Sequence, residues 1–123
     1  MIPLKIHTRG AATGPVLEIT GDLDHATAPA LRQCLATVAL TPGQCLVLDL
    51  SGLDFCDSSG ITALLTARSL ATAQGADMAL AAVPANTTRI LRITGLDRVF
   101  VLHPDTETAT RPPDVPVTGD RPA

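Results

Sequence analysis

The residues with the clearest chemical potential are two adjacent serines, Ser58 and Ser59, which follow Asp57 and precede Gly60. An apolar segment typical of a buried strand, residues 46–50, lies ahead of them. A helical pattern begins at Ser58, with an apolar stripe at Ile61, Leu64, Leu65, Ala67 and Ala71. The first amides of a helix are free and the helix dipole is positive there, so this position suits a negative group. Phosphorylation of either serine would add about two negative charges beside Asp57. The segment is therefore a candidate electrostatic switch.

Helix capping is a simpler interpretation of the same residues. Asp or Ser before a helix is favoured because its side chain accepts a hydrogen bond from a first-turn amide, and Asp57 or Ser58 would serve. Gly60 favours the functional interpretation, because glycine lowers helix propensity and a bare backbone lets another molecule approach closely. The residue types alone leave both interpretations open.

Two carboxylates, Asp22 and Asp24, follow a predicted strand with one residue between them. Such a pair could hold Mg²⁺, as in aspartate-dependent phosphatases. No basic or second acidic motif follows to complete that site, so roles in the turn and before the next helix are favoured. We expect no metal site here.

A nucleophilic serine would need a neighbouring base. The three histidines are scattered along the chain: His7, His25 and His103. The sequence contains no Gly-x-Ser-x-Gly, no P-loop and no Gly-x-Gly-x-x-Gly motif. We therefore expect no catalytic residues, no cofactor and no nucleotide bound by the chain itself, so a phosphate on Ser58 would come from a partner enzyme.

The composition restricts the class of protein. The chain has 123 residues, 46% of them hydrophobic, with a net charge of -3, which predicts one globular domain and disfavours a partner held through phosphates, such as a nucleic acid. The only aromatic residues are two Phe, so bases would find no stacking platform.

No apolar run approaches the ~20 residues that span a membrane, and the amino terminus lacks a signal-peptide pattern. We expect a cytoplasmic protein without membrane partners, whose three cysteines are small buried hydrophobes: Cys34, Cys45 and Cys56.

The predicted elements form an α/β fold. Strands are expected at 2–8, 16–20, 46–50, 78–83 and 98–102, and helices at about 27–38, 58–74, 84–94 and, as one turn, 104–110. Helices between strands imply parallel crossovers, and the first two strands form a hairpin, so the sheet is mixed, mostly parallel, with an antiparallel amino-terminal edge. Gly21 is expected to end the second strand, Thr27 to cap the first helix, and residues 51–57 to form a loop. Residues 110–123 are rich in proline, and we expect a disordered tail.

Acidic residues are concentrated around the serines. Residues 17–60 carry one base, Arg32, and six acids: Glu18, Asp22, Asp24, Asp49, Asp54 and Asp57. We expect an acidic face that complements a basic partner surface.

Several short motifs together resemble one family. They are Gly21-Asp22-Leu23-Asp24, Leu48-Asp49-Leu50, Phe55-Cys56-Asp57-Ser58-Ser59-Gly60, Ile90-Leu91, Thr94-Gly95-Leu96 and Val99-Phe100. In this order and spacing they resemble the STAS domain, and more specifically the bacterial anti-sigma factor antagonists. The resemblance covers residues from about 5 to 109, which implies a STAS domain over 1–109.

The resemblance implies a regulator rather than an enzyme. Family members bind an anti-sigma factor that is also a serine kinase, and so release a sigma factor; phosphorylation abolishes binding and a PP2C-type phosphatase restores it. Carried over by position, the phosphoacceptor is Ser58. The partner-binding residues are then Asp22, Asp24, Asp57, Ser58, Ser59, Gly60 and Ile61. A STAS scaffold in a kinase and phosphatase assembly that does not act on a sigma factor is the alternative.

Overall fold

The computed structural model describes residues 3–111. The strands are β1 (Lys5–Ala11), β2 (Gly14–Leu23), β3 (Cys45–Cys56), β4 (Asp77–Ala81) and β5 (Val101–His103). The helices are α1 (Ala28–Ala36), α2 (Ser58–Ala73), α3 (Ala85–Ile93) and α4 (Thr106–Ala109), with a short 3-10 helix at Leu96–Arg98. The predicted tail spans residues 110–123: Thr110 is the C-cap of α4, and residues 112–123 lie outside the described residues.

The five strands form one sheet in the order β1-β2-β3-β4-β5. The first pair is antiparallel and the other three pairs are parallel, which confirms the predicted α/β class with an antiparallel amino-terminal edge. Because successive parallel strands are neighbours, the helix between each pair returns over the same face. The main core therefore joins this face to α1, α2 and α3, through Leu31, Leu64 and Leu91 among others.

The opposite face of the sheet carries a much smaller cluster. Val16, Val47 and Ala81 pack there with Ala109 of α4. The predicted apolar stripe of α2 is confirmed on the main face, where Ile61, Leu64, Ala67 and Ala71 are buried, and Leu65 is half-buried.

The predicted loop over 51–57 is wrong, because β3 continues to Cys56. Its second half pairs with the end of β2, so that Gly52 lies opposite Thr20 and Cys56 opposite Leu23. A Cβ on Gly52 would lie 2.5 Å from the Thr20 Cγ2 atom, so a larger residue could not occupy this position without movement. The polar residues that suggested a loop, Ser51 and Asp54, are exposed on the strand. Because β3 continues to Cys56, the serine pair follows almost directly after a strand of the sheet.

Gly21 does not end β2, which runs on to Leu23. The pairing with β3 shifts register between Gly21 and Asp22, and Gly21 has a φ of 97°. The extra residue is on β3, where Asp54 has no partner between Leu53 and Phe55, and Gly21 on the facing strand adopts positive φ without strain. The bulge lets β2 follow β3 to the edge at which α2 begins.

Thr27 precedes α1 as predicted, but its side chain does not cap the helix. Its hydroxyl donates to the Asp22 carbonyl oxygen at 2.8 Å and accepts from the Asp24 amide at 2.9 Å. The hydroxyl thus closes the turn before α1 instead of binding a first-turn amide, because the backbone of Thr27 is already helical.

Smaller boundary differences occur at the two edges of the sheet. β1 begins at Lys5 and reaches Ala11, so only two residues form the hairpin turn where a longer one was predicted. β5 is shorter than predicted because Leu96–Arg98 forms a 3-10 helix after Gly95, whose φ is 78°.

Candidate functional site

The serine pair lies where β2 and β3 end side by side. The Asp57 amide donates to the Leu23 carbonyl oxygen at 3.3 Å, and one Asp57 carboxylate oxygen accepts from the Gly60 amide at 3.1 Å. Asp57 is therefore the N-cap of α2, one of the two caps that the sequence allowed. Ser58, the first helical residue, is exposed, and Ser59 is half-buried. The structure thus presents Ser58 to solvent on a rigid helix start.

Gly60 and Ile61 have internal roles. Gly60 is buried, and a Cβ added to it would lie 2.6 Å from the Cys56 sulfur and 2.7 Å from the Leu23 carbonyl oxygen. The glycine therefore permits close packing within the chain, where the sequence suggested approach by another molecule. Ile61 is 6% exposed and belongs to the main core. These two residues therefore support the site by packing inside the domain, and neither presents a side chain to a partner.

Asp24 and Asp22 lie at the end of β2, beside the end of β3. An Asp24 carboxylate oxygen accepts from the amides of Ala26 and Thr27, at 2.9 and 3.1 Å. That carboxylate organises the turn before α1, which is the role that the residue types favoured. Asp22 pairs in register with Phe55. Both acids are half-buried, so they border the surface around Ser58.

The predicted acidic face is smaller than the six acids suggested. Glu18 forms an ion pair with Arg9 at 3.0 Å on the hairpin, and Asp49 accepts from the Ser51 amide at 2.9 Å. Both lie further down β2 and β3, away from α2. Four acids remain at the carboxyl edge near Ser58, namely Asp22, Asp24, Asp54 and Asp57.

Sequence reasoning missed Phe55 as a surface residue. Its side chain is 52% exposed, whereas the other aromatic residue, Phe100, is 4% exposed. Phe55 lies near the end of β3, three residues before Ser58, where β3 extends beyond its pairing with β4. A large exposed apolar side chain beside a candidate interface is a typical binding contact. The alternation of residue types in Asp54-Phe55-Cys56 did not indicate that the Phe55 side chain is exposed.

A shallow cavity of about 290 Å³ opens between α1 and the start of α2. It is lined by His25, Ala28, Pro29, Arg32, Ser59 and Thr62. His25 therefore lies closer to the serine pair than the sequence suggested. Among residues 3–111, His25 makes no side-chain hydrogen bond to a serine or to an acid.

Cys56 is the buried cysteine, and it lies beneath the site. Burial, with a smaller effect of the neighbouring Asp57 charge, raises the pKa of its thiol to about 12. Its sulfur contacts the Asp57 carbonyl oxygen at 3.7 Å. Cys34 and Cys45 are half-buried rather than buried as expected, and all three cysteines are free. Cys56 is therefore a protonated packing residue.

Among residues 3–111, no group of three or more His, Cys, Asp and Glu side chains is placed to hold a metal ion. None of the helices in that range combines the length and the apolar character needed to cross a membrane.

Known proteins resemble this chain over most of its length. A family model described as the STAS domain matches residues 4–109. An anti-sigma F factor antagonist of Paenibacillus polymyxa is 31% identical over 99 residues, which are 79% of this chain and 81% of that protein. The anti-sigma-F factor antagonist RsfB of Mycobacterium tuberculosis is 34% identical over 87 residues, covering 71% of this chain and 70% of RsfB.

A solved structure shares the architecture as well. The crystal structure of an anti-sigma factor antagonist from Mycobacterium paratuberculosis superposes with a TM-score of 0.76 at 28% identity, covering 89% of this chain and 95% of that one. The family match over residues 4–109 is consistent with the observed sheet order and with a helix that begins at the Asp-Ser-Ser-Gly segment. The chain therefore belongs to the STAS domain family.

Proposed function

We propose that the protein is an anti-sigma factor antagonist controlled by phosphorylation of Ser58. In its unphosphorylated state it binds an anti-sigma factor that is also a serine kinase, and thereby releases a sigma factor. The kinase then phosphorylates Ser58 and the complex dissociates. A PP2C-type phosphatase restores the active form. The protein acts in the cytoplasm as a regulator, not as an enzyme, and needs no cofactor.

The observation that carries this proposal is the exposed Ser58 hydroxyl at the capped start of α2. A kinase must reach its acceptor hydroxyl, and Ser58 is more accessible than the half-buried Ser59. Two relatives named as anti-sigma F factor antagonists, each at least 30% identical to this chain, support an anti-sigma factor as the partner class.

The electrostatic environment explains how one phosphate ends binding. A phosphoserine carries about two negative charges at neutral pH, and four carboxylates already lie at this edge of the sheet. A partner surface that fits the neutral serine must then accommodate the bulk of the phosphoryl group and desolvate its charge, and this cost ends binding even where the partner is basic. Because the helix is fixed by the Asp57 cap and by the packing of Gly60, the change acts on the interface without refolding the domain.

The direct test is phosphorylation by the cognate anti-sigma factor kinase with ATP, followed by mass spectrometry. We expect one phosphate on Ser58 in the wild type, none on Ser58→Ala, and one on Ser59→Ala, which serves as the matched control. Ser58→Ala should bind the kinase persistently in the presence of ATP, and Ser58→Asp should bind it poorly. Phosphorylation of Ser58→Ala at the wild-type rate would refute the assignment.

A further inference from the structure

The cavity between α1 and α2 has a distinctive pair of polar side chains beside the serines. Arg32 of α1 and His25 of the preceding turn line it, facing Ser59 and Thr62 of α2. Arg32 is the single Lys or Arg among residues 17–60. The one basic side chain of this acidic part of the sequence therefore lines the same cavity as Ser59, the neighbour of the proposed phosphoacceptor.

The guanidinium of Arg32 is available for a ligand. Within residues 3–111 this guanidinium makes no hydrogen bond or ion pair, and Arg32 is exposed. The nearest acid in sequence, Asp24, uses a carboxylate oxygen to accept two amides of its own turn. A guanidinium presents a planar fork of N–H donors that matches phosphate oxygens, and an imidazole N–H adds another donor.

Ser58 lies on the row of α2 that leads to this cavity. Residues four apart on a helix are neighbours on one face, and Ser58 precedes Thr62 by four; the Thr62 hydroxyl donates to the Ser58 carbonyl oxygen at 3.0 Å. Ser58 does not itself line the cavity, but it shares a helix face with Thr62, which does, so a phosphoryl group on its side chain would extend from this rim towards Arg32.

We propose that the cavity is an intramolecular phosphate site, in which Arg32, assisted by His25, binds the phosphoryl group of phosphorylated Ser58. This inference rests on the proposed function, because it assumes that Ser58 is the phosphoacceptor. The ion pair offsets repulsion by the nearby carboxylates, so the phosphorylated state is stabilised and the phosphate is held on the α1 side of the helix.

The test uses the full chain with phosphoserine incorporated at position 58 during translation, so it does not depend on the kinase. The readout is the ³¹P NMR titration of the phosphate. Because a neighbouring cation favours the dianion, we expect the titration midpoint of the wild type to be about 0.5 pH unit below that of Arg32→Gln, a factor of about three in the proton dissociation constant. Arg68→Gln, the same charge change further along α2, should leave the midpoint unchanged. Other titratable groups around the first turn are common to all variants, namely Asp22, Asp24, His25, Asp54 and Asp57.

Further measurements distinguish the phosphoryl group of the same chain from that of another chain and from free phosphate. A midpoint independent of protein concentration supports binding within one chain, and a concentration-dependent midpoint overturns it. The unmodified chain titrated with inorganic phosphate should show no saturable shift of the Arg32 Nε resonance; such a shift would make this a free-phosphate site instead. Equal midpoints for wild type and Arg32→Gln, or equal shifts in Arg32→Gln and Arg68→Gln, also overturn the proposal. Arg32→Lys, which keeps the charge without the fork, should lie between wild type and Arg32→Gln.

Discussion

Gly60, in the first turn of α2, packs directly against Leu23, the last residue of β2. A Cβ atom on Gly60 would lie 2.7 Å from the Leu23 carbonyl oxygen, closer than real contacts of that kind. The same carbonyl oxygen accepts from the Asp57 amide at 3.3 Å. One backbone group of β2 thus positions both the cap and the first turn of the helix that carries Ser58.

Gly60→Ala should destabilise the fold. The added methyl group meets backbone and a buried sulfur, neither of which can move freely, so the free energy of unfolding should fall by about 1–3 kcal/mol. Urea denaturation monitored by circular dichroism measures this loss. Gly10→Ala is the matched control, because nothing lies within 4 Å of a Cβ built there. Equal unfolding midpoints for the two variants would show that α2 is not held by this contact.

The cap of α2 can be tested separately from its charge. Asp57→Ala removes the acceptor of the Gly60 amide and should lower the free energy of unfolding by about 1 kcal/mol. Asp57→Asn loses the charge but retains an acceptor oxygen, so it should lose less. Asp54→Ala, an exposed acid on β3, supplies the control. The idea fails if Asp57→Asn and Asp57→Ala lose the same stability.

Cys56 should make stability fall at alkaline pH. Burial raises the pKa of its thiol from 9.0 to about 12, so the folded state retains a proton that the unfolded state releases. The stabilising contribution is complete below about pH 9 and is lost as the pH rises towards about 12. The free energy of unfolding measured at about pH 8 and about pH 10 should therefore fall less in Cys56→Ala than in the wild type. Cys34→Ala, which leaves Cys56 in place, should keep the wild-type slope.

The sequence predicted the sheet and the location of the serines because both depend on local patterns. The continuous apolar run before Asp57 indicated a buried strand, and the stripe from Ile61 to Ala71 indicated a helix on it. The length of β3 could not be predicted, because Ser51 and Asp54 belong to the strand only through their neighbours, such as Gly52 and Phe55, which pair with β2. Long-range pairing of this kind overrides the polar and glycine signals of a loop.

Roles of individual site residues were harder to predict than their positions. The need for a glycine at position 60 depends on where the Leu23 carbonyl oxygen lies, and that position follows from the register shift after Gly21. Similarly, Arg32 and His25 come next to Ser59 only when α1 packs beside α2. A cap at Asp57 or Ser58 was predictable because capping involves a residue three positions away, and the structure selects Asp57.

Asp54 should accelerate association with a basic partner. It is exposed on the protruding part of β3, so its charge contributes mainly to steering. Asp54→Asn should lower the association rate constant several-fold at low ionic strength, with little effect at high salt, as measured by stopped-flow fluorescence with the labelled anti-sigma factor. Asp97→Asn is the control: Asp97 precedes β5 and so lies at the opposite edge of the sheet. A loss of affinity that persists at high salt would instead indicate a direct contact by Asp54.

Phe55 should be the main apolar contact of the partner. It is 52% exposed, so Phe55→Ala removes little internal packing and should cost less than about 1 kcal/mol of stability, whereas truncation of the buried Phe100 should cost about 3–5 kcal/mol. Aromatic side chains at the centre of an interface contribute about 2 kcal/mol or more, so Phe55→Ala should raise the dissociation constant at least tenfold by calorimetry. Ile93→Ala is the binding control, because Ile93 is 77% exposed at the end of α3, which returns to the opposite edge. If Phe55→Ala binds as tightly as Ile93→Ala, the partner does not cover the end of β3, and contact is confined to the start of α2.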